Sequence, residues 1–221
     1  MMKDIYKIVL LGESGVGKTC ILEQFINGKF DLYEVSSQTV KFFRKTLEFP
    51  EGKSLNFDIW DTPGQEKHRS INKIFYKQAN VVILVYDVTN EESFTEMKDY
   101  WYEQIKQLGD KDIILAIAAN KSDLYEEKQV SNETGEEFAN QIGAIFASTS
   151  AKNGSGIQAL FYNIGQKIFD PNFDFSSVEK KKKDEYKKKK QQDEKKDQPA
   201  PNKGVKITAQ SQKKEKKKGG C

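Results

Sequence analysis

The chemistry of this chain is concentrated first in Gly12-Glu13-Ser14-Gly15-Val16-Gly17-Lys18-Thr19. A G-x-x-x-x-G-K-[ST] run lets backbone wrap an anion closely. Gly12 and Gly17 remove side-chain bulk, and successive N–H groups face the charge, with Cys20 continuing into the helix behind. Lys18 is placed to reach β- and γ-phosphates, and the Thr19 hydroxyl to hold Mg2+. The run follows an apolar segment, Tyr6-Lys7-Ile8-Val9-Leu10-Leu11, that reads as a buried strand. It precedes Cys20-Ile21-Leu22-Glu23-Gln24-Phe25-Ile26, whose apolar residues recur at helical spacing. Strand, glycine loop and helix in that order make a phosphate cradle, and the expected ligand is a nucleoside triphosphate.

A second motif selects the base. Asn120-Lys121-Ser122-Asp123 follows the apolar run 113–119. Asp123 can accept hydrogen bonds from N1–H and the 2-amino group of guanine. Adenine offers neither, and a buried carboxylate left unpaired is costly. Trp60-Asp61-Thr62-Pro63-Gly64-Gln65 closes the run 55–59. There Asp61 can hold Mg2+ through water, the Gly64 N–H can sense the γ-phosphate, and Gln65 can orient the attacking water. After a short strand at 144–147, Ser148-Thr149-Ser150-Ala151-Lys152 offers backbone N–H groups near Ala151 to guanine O6, with Ser150 among the nucleotide-binding residues. The Lys152 stem is placed to cover the base. Phe30 is placed to pack on base or ribose, with simple core filling as the competing reading.

Alternating strands and helices must position these groups, which predicts an α/β fold: a doubly wound, mostly parallel sheet. Segments 41–49 and 54–61 are joined by Pro50-Glu51-Gly52-Lys53, too short for a crossover, so they form one antiparallel hairpin. On its outer face Phe42 and Trp60 sit among polar residues, as packing under a neighbouring loop or as a partner surface. Asn90 is placed to cap a helix whose stripe Phe94, Met97, Trp101, Ile105, Leu108 reads as core. The last helix carries Ile157, Leu160, Phe161, Ile164 and Ile168, with Pro171 beyond its end.

The net charge of +3 hides a split among 36 basic and 33 acidic residues. From Ser176 onward there are 17 lysines against seven acidic residues; before it, 19 basic residues face 26 acidic. Aliphatic residues nearly vanish in this tail, so it cannot offset chain entropy and is expected to be disordered. The expected organisation is a nucleotide-binding domain at 1–175 and a Lys-rich tail at 176–221. The tail reads as a solvated linker, as a spacer attracted to anionic lipid, or as a non-specific nucleic-acid binder. Interspersed acids weigh against nucleic acid. Two cysteines, Cys20 and Cys221, exclude a disulfide framework and suggest a reducing compartment. No run of 18 apolar residues occurs, so no spanning helix is expected, and the N-terminus enters the first strand without a signal peptide.

These motifs, in this order over residues 5–170, resemble the Ras superfamily and its Rab branch. The resemblance is carried by Ile59-Trp60-Asp61-Thr62-Pro63-Gly64-Gln65-Glu66, Val85-Tyr86-Asp87-Val88-Thr89-Asn90-Glu91-Glu92-Ser93-Phe94 and Thr149-Ser150-Ala151-Lys152-Asn153-Gly154. It implies a G domain that cycles between GDP and GTP with Mg2+, hydrolyses GTP, and recruits effectors in vesicle traffic. It also implies an exchange factor, a GTPase-activating protein, a GDP-dissociation inhibitor or escort, and a monomer on the cytoplasmic face of endomembranes, endosomes among them. Family spacing puts Ser37 in the role of the Mg2+-binding Thr, with Phe42 five residues later and Thr39 as the rival ligand. Phe42, Trp60 and Phe75 match the effector-reading aromatics. Pro63 stands where most Rabs have Ala, removing an N–H beside the γ-phosphate sensor. Most Rabs end in two cysteines; here Cys221 alone would carry the prenyl group, an unmodified thiol being the alternative. Two further readings stay open: a non-hydrolysing GTP-dependent binding module and a nucleic-acid-associated NTPase.

Overall fold

Side chains of β1, Ile5–Leu11, alternate between two apolar layers: Ile8 and Leu10 enter one, Val9 and Leu11 the other. β4, Val81–Asp87, is buried at every position. Burial on both faces is the signature of central parallel strands covered by helices. The structure, a computed structural model, describes residues 5–31, 40–62, 77–110 and 112–173. Ser37, Thr39, Pro63, Gly64, Gln65, Phe75 and Cys221 lie outside the described residues. The chain divides into Met1–Phe175 and Ser176–Cys221, and the second unit lies wholly outside them.

The described residues form a six-stranded sheet in the order β2-β3-β1-β4-β5-β6. β2, Lys41–Phe49, and β3, Lys53–Asp61, pair antiparallel through the turn Pro50–Gly52. All other pairs, including those of β5, Ile114–Asn120, and β6, Ile145–Ser148, are parallel. Helices α1, Lys18–Asn27, and α4, Ile157–Phe169, cover one face, where the rings of Phe25 and Phe161 stack at 3.6 Å. The other face is covered by α2, residues 91–108, and α3, Asn132–Ile142, each started by a side-chain cap: Asn90 accepts from the Ser93 N–H, and Ser131 from the Thr134 N–H. The doubly wound expectation therefore holds.

Two details matter for the site. The connection leaving β1 runs to the β2–β3 side of the sheet and the one leaving β4 to the β5 side, so the carboxyl ends of the neighbours β1 and β4 flank the crevice where open α/β sheets bind ligands. Gly12 lies there: a Cβ on it would come 2.2 Å from the Val85 carbonyl oxygen, and its φ of 149° is unfavourable for other residues. The second detail corrects the sequence reading of α2. The helix is α-helical over Glu91–Glu96, widens to a π turn over Met97–Tyr102, and returns to α over Glu103–Leu108. Phe94, Met97, Trp101 and Ile105 are buried as expected, but Leu108 is 44% exposed. It sits on the last turn, where Gly109 already closes the helix onto the Ile105 carbonyl.

Candidate nucleotide site

The loop between β1 and α1 turns through left-handed backbone at Gly15 (φ 78°) and Gly17 (φ 95°). A Cβ on Gly17 would lie 2.3 Å from Asn120 Nδ2, so the cradle closes against the end of β5. Asn120 is a brace as well as a lining residue. Its Nδ2 donates to the Val16 carbonyl at 2.8 Å, and its Oδ1 accepts from Thr149 Oγ1 at 3.4 Å and the Ala151 N–H at 3.3 Å. One buried amide thus ties together loops that come from three strand ends.

Lys18 and Thr19, the first residues of α1, point charge and hydroxyl into the cradle. Lys18 Nζ donates to the carbonyls of Gly12 and Glu13, each at 2.8 Å. The residue is 6% exposed, and burial pushes its pKa down to about 8 against the opposing pull of Asp61 and Glu13. Thr19 Oγ1 donates to Asp61 Oδ2 at 2.6 Å, with both residues buried. A hydroxyl and a carboxylate brought together at the mouth of a phosphate cradle are the hard oxygens that Mg2+ prefers, so these residues fit that ion.

A pH dependence follows from Lys18. A phosphate bound against Lys18 would stabilise the ammonium and raise its pKa, so at and above pH 8 nucleotide binding should take up a proton. The Lys18 contribution to affinity should be constant below about pH 7 and fall as pH rises through 8, with a slope limited to about tenfold per pH unit. Calorimetry of GDP binding at pH 8.5 in buffers of different ionisation enthalpy measures the uptake; no buffer dependence would contradict it.

The base side is a cavity of about 340 Å3. Gly15, Gly17, Cys20, Phe30 and Asp31 line one side; Asn120, Lys121, Asp123, Leu124, Ala151 and Lys152 line the other. The structure therefore brings Phe30 and the base motif together, although Phe30 also packs on the core beneath. Asp123 Oδ1 accepts from Ser150 Oγ at 2.5 Å, and Lys152 Nζ lies 4.0 Å from Oδ2. The Ser150 N–H donates to the Ser155 carbonyl at 2.9 Å, and the Ala151 N–H, around which contact with guanine O6 is expected, donates to Asn120 Oδ1.

Asp87 was not singled out as a site residue from sequence. Its Oδ2 pairs with Lys121 Nζ at 2.6 Å, while Oδ1 accepts from the Thr89 N–H and Oγ1 at 2.9 and 2.7 Å. The available signal was an acid closing a wholly apolar parallel strand, at the sheet edge where ligands bind. Lys121 itself holds a left-handed φ of 62°, a local strain that fits a residue locked by its partners.

Away from the cavity, Phe42 and Trp60 face each other across the hairpin with centroids 5.2 Å apart, and Phe42 is 47% exposed. The neighbouring pair Arg44–Asp58 makes two hydrogen bonds, 2.6 and 2.8 Å, on the same outer face.

The Ras family model matches residues 7–170. Ras-related protein Rab-8B of Homo sapiens and of Pongo abelii are each 38% identical to the chain over 164 residues, 74% of this chain and 78% of the relative's length. The family match spans both the cradle and the base motif.

Proposed function

This chain belongs to the Ras family, as a Rab-type small GTPase that hydrolyses GTP to GDP and serves vesicle traffic, and we propose which of its residues carry that activity. Guanine nucleotide and Mg2+ are the general ligands of the family. In this reading residues 12–20 hold the phosphates, with Lys18 as their buried cation. Asp123 reads the base, oriented by Ser150, while Lys121 and Lys152 cover the rest of the nucleoside. Thr19 and Asp61 hold Mg2+, which supplies charge neutralisation on the phosphate oxygens when bound. Gly64 senses the γ-phosphate, and Gln65 positions the attacking water. The observation that supports this best is the single cavity joining the cradle glycines to Asp123 and Lys152. Full-length protein should bind GDP and GTP far more tightly than ATP; equal affinity for ATP would overturn the assignment.

Ser37 completes the Mg2+ ligands in the GTP state, with Thr39 as the rival. Comparison of Ser37→Ala and Thr39→Ala should show loss of GTP-dependent partner binding in the first only. The reverse pattern would move the register by two residues.

Exchange factors, activating proteins, a GDP-dissociation inhibitor and effectors are the general partners of such a GTPase. Phe42 and Trp60, with Phe75, supply the effector surface, and Phe42 has the exposure this requires. Residues 1–175 act as the G domain, and residues 176–221 as a basic membrane-directing tail ending in a prenylated Cys221, on endosomal or related endomembranes. A single prenyl chain anchors only reversibly, and lysines near an anionic leaflet add about 1 kcal/mol each. Lys213, Lys214, Lys216, Lys217 and Lys218, opposed only by Glu215, supply that second attraction. Cys221→Ser should move the protein to the cytosolic fraction, and intact mass of the native protein should show one prenyl group; an unmodified mass would remove the anchor. Neither the non-hydrolysing module nor the nucleic-acid NTPase finds support in the family match.

A further inference from the structure

Trp101 lies on α2, in the stripe whose spacing reads as core. It is 1% exposed, and most of its ring packs there. Its one polar atom does something else: Nε1 donates to Glu13 Oε1 at 3.0 Å, across 88 residues of sequence. Glu13 belongs to the phosphate cradle, and its own carbonyl accepts the Lys18 ammonium. The Glu13 side chain is thus held from α2 while its backbone holds Lys18.

The helix has a feature suited to this reach. Trp101 sits inside the π turn, Met97–Tyr102, which departs from the tighter α geometry on either side. Such turns are rare and occur often at functional sites. The indole has one donor and no acceptor, and burying it without a partner would be costly. Glu13 meets that need with a charged acceptor, the stronger class of hydrogen bond. Between the cradle and the start of α2 lies a cavity of about 260 Å3, lined by Glu13 and Ser14 on one side and Asn90, Ser93 and Glu96 on the other. Glu13 lines this space, and the indole hydrogen bond ties it to α2.

We propose that Trp101 is a positioning residue for nucleotide binding, which clamps Glu13 and so keeps the cradle closed around the phosphates, lengthening the residence of bound GDP. This rests on the reading of residues 12–20 as the phosphate site. The clamp contacts no substrate; it acts through Glu13 on the loop geometry that Lys18 and the cradle N–H groups share.

The test uses the full chain loaded with a fluorescent GDP analogue in the presence of Mg2+, chased with excess GDP. Trp101→Phe keeps an aromatic ring and deletes the donor; Glu13→Ala deletes the acceptor. Each should release the analogue about tenfold faster, the size expected for loss of a hydrogen bond to a charged group. The double variant should be no faster than either single one, because both remove the same contact. Release from Trp101→Phe at the parent rate, or effects that multiply in the double variant, would overturn the proposal. Should Trp101→Phe fail to fold, the parent protein carrying 15N-tryptophan decides. Of its two indole N–H resonances, the one that persists in Trp60→Phe belongs to Trp101 and should shift on Glu13→Gln; a fixed resonance would overturn the clamp. Failure of the unsubstituted protein to take up the analogue at all would strike the nucleotide reading itself and the clamp with it.

Discussion

Asp123→Asn is expected to weaken GTP binding by about 100-fold or more and to improve binding of xanthosine triphosphate. A carboxylate accepting from N1–H and the 2-amino group makes two charge-assisted hydrogen bonds, each contributing roughly 1.5–3 kcal/mol. The amide keeps one acceptor and turns the other position into a donor, which opposes the 2-amino group of guanine but complements the 2-oxo group of xanthine. The surroundings favour a clean exchange. Asp123 Oδ1 accepts from Ser150 Oγ at 2.5 Å, and an Asn oxygen can accept that bond unchanged. The Lys152 ammonium, 4.0 Å from Oδ2 and largely exposed, is too weakly coupled to hold the site in its parent form. Competition of GTP and xanthosine triphosphate for a fluorescent GDP analogue measures both halves. Equal GTP affinity in mutant and parent would remove Asp123 from base recognition.

The cradle and the base motif were legible in sequence because their chemistry is local. Glycines must stand where the backbone is left-handed or crowded, as at Gly12 and Gly17, and Lys18 and Thr19 follow them at the start of the helix. The central strands were legible for a different reason: burial on both faces leaves continuous apolar runs such as Val81–Asp87. The hairpin followed from the length of its connection. What could not be read was where polar side chains find partners far along the chain. The bond from Asn120 to Val16 spans 104 residues, and the pair Asp87–Lys121 joins two strand ends whose adjacency depends on sheet order. The π turn left no mark in the pattern either. The stripe 94, 97, 101, 105, 108 has the spacing of an ordinary α-helix, so Leu108 looked like core and Trp101 like nothing more. Burial and hydrogen bonding have to be solved together, and only the fold does that.

Gln65→Leu is expected to slow single-turnover GTP hydrolysis by roughly 100-fold and to hold the protein in its GTP form, the size associated with losing alignment of a reacting group. In the proposed reading Lys18 is engaged with the phosphates and Thr19 and Asp61 with Mg2+, which leaves none of the three to activate water. The same reading gives positioning of the nucleophile to Gln65, four residues beyond Asp61. The intrinsic rate should be slow even in the parent chain, because the described cradle presents a lysine but no arginine to the transferring phosphoryl group. A finger supplied by an activating protein is typically worth ~10³–10⁵ in rate, and Gln65→Leu should abolish that gain as well. Pro63 sharpens the test. It lacks the N–H that most Rabs present beside the γ-phosphate sensor and fixes φ in the approach to Gln65. Pro63→Ala should leave Gln65 essential if the glutamine is the positioning group. Hydrolysis by Gln65→Leu at the parent rate would show that water is positioned elsewhere, and the same result in the Pro63→Ala background would exclude a loop re-aimed by proline as the cause.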